Sequence, residues 1–463
     1  MSAMKIFAVF TLVCGLAPRA YAQDGDLALT LDDFTQQAIK QGIQGRQNEL
    51  TLQSAGYTKQ VVFKQTSAPT LDLNGTGTRS ESNDPLNGHS RFNGPNDSSV
   101  GNLTYNQLLP TGTALTAAGK YDESDRPGFT ASVTQPLYVF VKNSVARTRE
   151  QAALSYANAK DTFDATVLSI RTQAHSFYYN VMLGDEDIQV EKRKVASSKA
   201  LNDVTVALVE AGKLAPVEAM RSKIQLQTDQ RTLQNAQTNW QKALLNAKNY
   251  IYISFDQPVK FLTRLEFKPF DIPQVRLVNY AMLHNPGLQI LRRDRELARL
   301  TFEAAEEPTR PTLALNSTYS SSETQLTSVM RNWTAGGSAN WLFFDSFITR
   351  DQTNIARLGQ MAADLSLSDG ERTTLMNVET AYLDLQNTQQ QIRDFQSSRE
   401  QAYRNVEVLR LRFQNGLDRL IDVFDAETSA HDLDSQYLGL LVAFNQSKDT
   451  LSQLVGGDVE ALP

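Results

Sequence analysis

Asp422 and Asp425 are the residues whose spacing most invites chemistry. Carboxylates at i and i+3 share one face of a helix. Two acids held close raise one another's pKa and attract cations. A solvated helix face is the ordinary explanation of such a pair, so the sequence around it has to decide. Nothing else looks reactive. The four histidines, His89, His175, His284 and His431, have no partner at metal-ligand spacing, and His175 lies near an apolar stripe, as a packing histidine would. No phosphate-binding glycine loop and no nucleophile elbow occurs. The other acids sit on helix faces, which expects no enzyme, no cofactor and no metal site.

Composition narrows the setting of that acid pair. Lys5, the apolar run Ile6 to Ala17 and the small-residue site Ala20-Tyr21-Ala22 read as a secretory signal over residues 1–22, with the mature chain starting at Gln23. The single cysteine, Cys14, lies inside that signal behind Thr11-Leu12-Val13, so neither lipid anchor, disulfide nor thiol chemistry is expected. Without Lys5 and Arg19, 43 basic residues face 51 acidic ones and the formal charge moves from −6 to −8. That balance, with no basic stripe among aromatics, argues against nucleic acid. After the signal no apolar stretch reaches the roughly 18 residues of a membrane helix. Membrane entry is therefore open only to a β-barrel, whose alternating pattern the mean hydropathy of −0.37 does not exclude.

The elements that would position the acids repeat. Pro69-Thr70-Leu71-Asp72-Leu73-Asn74 recurs as Pro311-Thr312-Leu313-Ala314-Leu315-Asn316, an offset of 242. Ser176-Phe177-Tyr178 matches Thr380-Ala381-Tyr382, and Gly212 with Val217-Glu218 matches Gly416 with Ile421-Asp422, both at an offset of 204. A tandem duplication accounts for this, with halves 23–258 and 259–463. The 38 extra residues fall in the Gly-, Asn-, Ser-, Asp- and Pro-rich segment from Arg79 to Arg126. Each half starts with a helix, about Thr30 to Gln65 and about Pro273 to Ala305. Strands follow, over about 69–138 and 311–344, and then long helices over about 142–251 and 346–455, turning at Gly212 and Gly416.

Ala152, Tyr156, Ala159, Phe163, Val167, Ile170, Ala174, Phe177 and Val181 step by three and four, averaging near 3.5, the spacing of a left-handed coiled coil. Ile355, Leu358, Ala362, Leu365, Leu375, Val378, Tyr382, Leu385 and Ile392 repeat it. A run of about 70 residues is about 105 Å long, so these helices must pack side by side in a rod or tube. Residues 70–78, 100–107, 114–121, 129–137 and 312–319 read as strands, and the rest of the second-half strand region to 344 adds one more, giving four in the first half and two in the second; Trp333, Trp341, Phe343 and Phe344 are candidates for an aromatic belt at the bilayer interface. Six strands do not enclose a pore, and a lipid-exposed edge is not viable, so several copies must share one barrel.

Ala281-Met282-Leu283-His284-Asn285-Pro286-Gly287-Leu288, Gln135-Pro136-Leu137-Tyr138 and Gly416-Leu417-Asp418-Arg419-Leu420-Ile421-Asp422-Val423-Phe424-Asp425-Ala426 resemble the TolC-like outer-membrane efflux protein family over the whole expected mature chain. The resemblance implies a mainly α fold with a β-barrel part: long antiparallel helices forming an α-barrel, and strands contributed to a shared trimeric barrel in the outer membrane. It implies a homotrimer with twelve strands and twelve helices, a periplasmic adaptor protein and an inner-membrane transporter as partners, and passive exit from periplasm to exterior. The insertion leaves the strand count open between 12 and 18.

By the same resemblance Asp422 and Asp425 line the narrow periplasmic end, where threefold symmetry would make a ring of six carboxylates. Gly212, Lys213, Leu214, Glu218, Gly416, Leu417, Asp418 and Arg419 fall at the tips that face the adaptor. The sequence departs from the family where a tyrosine and an arginine tie the gate: Phe413 and Asp418 stand there, with Arg419 adjacent and Glu218 at the family's acidic position on the other hairpin. A differently latched gate is expected. The competing reading is a non-conducting, periplasm-spanning coiled-coil scaffold or adhesin.

Overall fold

A computed structural model describes residues 27–84, 91–122, 127–323 and 329–461. The expected signal, Cys14 and His89 lie outside the described residues. Among the described residues no helix is long and apolar enough to cross a membrane.

The chain begins with β1 (Leu27–Leu29), α1 (Leu31–Gln41) and α2 (Ile43–Gln65). Thr30 caps α1: its Oγ1 accepts from Asp33 N at 3.2 Å while Asp33 Oδ2 accepts from Thr30 N at 3.2 Å. The single helix expected from Thr30 to Gln65 is in fact two. Gly42 takes φ −60 and ψ 146 between them, and a Cβ there would meet the Ala38 carbonyl oxygen at 2.3 Å. Strands β2 (Pro69–Asp84), β3 (Arg91–Leu108), β4 (Ala114–Asp122) and β5 (Pro127–Leu137) follow, then α3 (Ser144–Glu210) and α4 (Pro216–Tyr250).

The second half runs through β6 (Val259–Phe261), α5 (Gln274–His284), α6 (Pro286–Glu306), β7 (Thr312–Glu323), β8 (Val329–Asn340), α7 (Ile348–Gln414) and α8 (Leu420–Val455). The helix expected from Pro273 to Ala305 also breaks. Asn285 ends α5 and caps α6, accepting from Leu288 N at 3.0 Å through Oδ1 and donating to the Leu454 carbonyl at 2.7 Å through Nδ2. Pro286 supplies the first residue of α6, where its missing N–H costs nothing.

α3 and α7 each have 67 residues, about 100 Å of helix. Near mid-height the parallel pair β1–β6 and α1 close over α3, burying Phe34, Ala38, Ile170, Ala174 and Tyr178. A second core packs α5 against α7 and α8 through Leu277, Ala281, Val378, Leu385, Phe444 and Leu451. Above these cores the helices stand in one row, α2 on α3, α3 on α6, α6 on α7; below, the row is α4 on α3, α3 on α8, α8 on α7.

All six longer strands form one antiparallel sheet in the order β2-β3-β4-β5-β7-β8. The strand count left open by the sequence is therefore six among the described residues, with the added hairpin inside the sheet. Ser346 and Phe347 take left-handed φ of 58 and 68 at the joint from sheet to α7, a conformation uncommon outside glycine, and Asp345 Oδ2 holds it by accepting from Thr349 N at 2.7 Å.

Asn285→Ala should lower stability by about 1 kcal/mol through the lost cap and leave the Leu454 carbonyl unpaired. A fall in the thermal midpoint, with Asn285→Asp recovering the α6 part of the loss, is the measurement.

Candidate functional site

Both hairpin tips close with the same backbone device. Gly212 N donates to the Val209 carbonyl and Lys213 N to Leu208, each at 2.9 Å; Gly416 N donates to Phe413 at 2.8 Å and Leu417 N to Arg412 at 2.9 Å. This paired 5→2 and 6→1 pattern needs a left-handed residue after the helix. Gly212 and Gly416 supply it at φ 72 and 73, and a Cβ on either would meet nothing within 4 Å. Glycine is therefore required there for its backbone alone.

Asp422 and Asp425 start α8 beside one tip. Asp425 is exposed and Asp422 half-exposed, while Val423 and Phe424 between them and Ala426 after them are buried, so both acids share the outward face. Asp422 is already partnered: Arg419 donates to it from the backbone N at 3.3 Å, from Nε at 3.2 Å and from Nη2 at 3.1 Å. That hydrogen-bonded guanidinium holds the Asp422 carboxyl below the usual aspartate range. Within one chain the direction is thus opposite to the rise expected from paired acids, because Arg419 bonds the carboxylate directly.

The tip ties two hairpins together with apolar side chains. Phe413, at the position where the resemblance places tyrosine, is only 2 % exposed and packs with Leu420, Val423 and Phe424 against Leu201 of α3 and half-buried Leu214. Asp418, where it places arginine, accepts from Arg412 Nη2 at 3.1 Å. Glu218 accepts from Arg221 Nη1 at 3.3 Å on its own helix. Lys213 and Leu417 are exposed.

Polar ties between the hairpins lie higher. Arg410 of α7 donates through Nε to Glu427 at 2.6 Å and through Nη2 to Ser197 of α3. Asp434 of α8 accepts from Arg399 Nε at 2.7 Å and from the Tyr403 hydroxyl, and lies 3.6 Å from Arg193 of α3. Burial, with the Asp434 hydrogen bond behind it, pushes the Tyr403 hydroxyl up to about 12. His431 is buried between these pairs, its Nδ1 without a protein partner. Burial first, and the charge of Lys194 second, hold its ring below the usual histidine range, against the opposing pull of Asp434 and Glu427.

In the sequence His431 stands as one of four scattered histidines. Glu427, His431 and Asp434 step by four and three on α8, as Arg399, Tyr403 and Arg410 step by four and seven on α7. A polar stripe at coiled-coil spacing was the signal that could have marked the cluster.

The four belt candidates fall at two levels. Trp333 lies inside β8 opposite Tyr319, whose ring is 6.4 Å from Phe129. Trp341, Phe343 and Phe344 lie beyond β8 at the joint to α7, with Trp341 Nε1 donating to the Thr309 carbonyl at 3.1 Å and its ring edge-on to Phe343 at 5.8 Å.

The sheet has one apolar face. Its register sets Leu71 opposite Tyr105 and Leu73 opposite Leu103, Tyr105 opposite Ala117, Leu115 opposite Val133 and Ala117 opposite Ala131, and Leu315 opposite Gly337. The alternate positions are polar: Thr70 opposite Asn106, Asp72 opposite Thr104, Asn74 opposite Asn102 and Thr116 opposite Ser132. The apolar face is bare, with Leu73 at 80 % and Trp333 at 70 % exposure.

Comparison with known proteins gives this architecture a context. Residues 277–457 match the family model described as outer membrane efflux protein. No curated protein matches in sequence. Among solved structures, the CmeC outer membrane channel of Campylobacter jejuni superposes with a TM-score of 0.70 at 14 % identity, over 94 % of this chain and 87 % of that one. The open-state MtrE outer membrane channel of Neisseria gonorrhoeae gives 0.70 at 16 %, over 93 % and 89 %, and VceC, an outer membrane protein of Vibrio cholerae, gives 0.70 at 14 %, over 92 % and 96 %. The family and the fold matched are those of channels rather than enzymes.

With the folded-state pKa of His431 below the unfolded value, the unfolded chain takes up the proton first as pH falls. Stability is full above about pH 6.5 and declines below it. His431→Gln should flatten that decline between pH 7.5 and 5, read as thermal midpoint against pH; an unchanged slope would assign the acid sensitivity elsewhere.

Proposed function

From a chain with the TolC-like fold, whose second half carries an outer membrane efflux protein domain, we propose that three copies form a passive exit duct from the periplasm across the outer membrane. One observation carries the reading: the sheet and both helix rows each end in two unlike, unpartnered flanks. β2 and β8 are the two ends of the sheet. In the upper row α2 bares Leu50, Tyr57 and Val61, and α7 bares Ile355, Leu358 and Leu365, although the coiled-coil spacing marks that α7 stripe for packing. In the lower row α4 bares Met220 and Ile224, and α7 bares Val408 and Leu411. Unlike flanks join head to tail, and head-to-tail contacts that close make a ring.

The ring puts the apolar sheet face toward lipid and the Thr-, Asn- and Ser-lined face toward the lumen, the arrangement of membrane barrels. Trp333 and Trp341 are eight residues apart, about 27 Å along a strand and about 20 Å along the axis at about 40° of tilt. That separation suits two interfacial girdles. Below the membrane, α3, α4, α7 and α8 of each copy build the tunnel through the periplasm. Equal lengths of α3 and α7 and matched tips support a tandem duplication with halves 23–258 and 259–463 behind the signal at 1–22.

At the tunnel's narrow end, copies of Asp422 and Asp425 face a common axis and favour cations, with Arg419 offsetting part of the charge. The tips at Gly212 to Leu214 and Gly416 to Arg419 are the surfaces offered to a periplasmic adaptor, and an inner-membrane transporter supplies the energy that a duct without a catalytic set does not.

Detergent extraction of membranes should yield a trimer by mass, and a soluble monomer would favour a scaffold instead. Leu73→Arg should weaken the membrane-inserted form by about 2–4 kcal/mol, the cost of a cation on the lipid face, seen as loss of heat-resistant trimer. In planar bilayers Asp425→Asn should lower cation selectivity, whereas the same change at Asp422 should act less because Arg419 already screens that carboxylate.

A further inference from the structure

The first-half insertion enters the wall of the sheet rather than hanging over its mouth. From it, and resting on the trimeric duct proposed above, we infer that the membrane barrel has eighteen strands, three copies of a six-stranded sheet, closed by pairing β8 of each copy with β2 of the next.

Three observations place the inserted hairpin in the wall. First, β3 bonds on both sides: its register runs from Pro69↔Gln107 to Asp84↔Arg91 against β2, and from Val100↔Asp122 to Leu108↔Ala114 against β4. With β4 paired to β5 in turn, removing the hairpin would leave β2 and β5 apart. Secondly, the apolar face continues through it. Leu103 and Tyr105 on β3 and Leu115, Ala117 and Tyr121 on β4 fall in line with Leu71 and Leu73 on β2 and with Phe129, Ala131 and Val133 on β5. A hairpin folded over an aqueous lumen has no reason to keep one apolar face, whereas a lipid-facing strand must.

Thirdly, the β3–β4 turn is bolted to the start of α3. Leu109 N donates to the Thr113 carbonyl at 2.9 Å and Gly112 N to Leu109 at 2.8 Å, while Asn143, the cap of α3, donates through Nδ2 to the Pro110 carbonyl at 2.9 Å. Gly112 has φ +82, and a Cβ on it would meet the Tyr138 hydroxyl at 1.7 Å. A turn fixed at the helix end of the sheet, between β2 and β5, makes the hairpin a structural pair of staves.

Direction also fits. The six strands alternate, β2 leaving the helices and β8 returning to them, so β8 meets a neighbour's β2 antiparallel and the whole wall keeps one hydrogen-bonding pattern. Unpaired backbone groups in lipid leave no alternative to such closure. At about 4.8 Å between strands and about 40° of tilt, eighteen strands enclose roughly 36 Å between backbones, against roughly 24 Å for the twelve that the family resemblance implies. The eighteen-stranded barrel is then about half as wide again as a twelve-stranded one.

The full-length protein extracted from membranes provides the test. Cryo-electron images of the trimer should resolve eighteen strands. Cysteine pairs joining β2 to β8, Leu71→Cys or Leu73→Cys with Ala335→Cys, Gly337→Cys or Ala339→Cys, should cross-link between copies into covalent trimers under mild oxidation. A trimer with twelve strands, or one in which Leu73→Cys instead cross-links to Val133→Cys on β5 of the same copy, overturns the inference and leaves the duct intact. Absence of any trimer in the membrane fraction overturns both.

Discussion

A backbone amide or carbonyl facing hydrocarbon must have a protein partner, because lipid offers none. The six-stranded sheet pairs each strand with its neighbours and leaves β2 and β8 as its two open edges. Its apolar face suits lipid, where those two open edges would be left unpaired. Both helix rows share this incompleteness on the same two sides. One set of unmet contacts therefore runs the length of the molecule, and the head-to-tail closure proposed above would meet all of it.

The helices carry a different burden. Rods about 100 Å long have a large surface and only a narrow seam to bury, so the packing is concentrated in two cores near mid-height and one at the tip. Between the mid-height and tip cores the two hairpins are tied by ion pairs and hydrogen bonds through Arg410, Glu427, Asp434 and Arg193. Such pairs offset their own desolvation cost imperfectly, which suits a contact between hairpins that must part if a gate is to open. At the very tip Phe413 brings apolar packing where the related pattern has a hydroxyl, and Arg419 turns inward onto Asp422 of its own chain. Charge beside this tip is thereby a balance of acid and guanidinium within the chain.

The fold class was legible because its signals are local. Steps of three and four from Ala152 to Val181 specify a buried helix seam, and Asn285-Pro286 marks a helix boundary through chemistry contained in four residues. Even so, Gly42 and Asn285 each divide what periodicity alone reads as one helix, since an apolar stripe can continue across a kink. The cluster around His431 was not legible from pairwise spacing, because its members come from α3, α7 and α8 and meet only when two hairpins pack.

The sequence by itself determined the alternation that gives each strand an apolar and a polar side, the glycines that turn both hairpins, and the placement of Asp422 and Asp425 on one helix face. Only the tertiary structure decided that the inserted hairpin joins the sheet, that Asp422 is taken by Arg419, and which flanks remain open. The reason is range: side-chain periodicity is written within a few residues, whereas a strand's neighbours and a carboxylate's partner are chosen by contacts made after the chain has closed on itself.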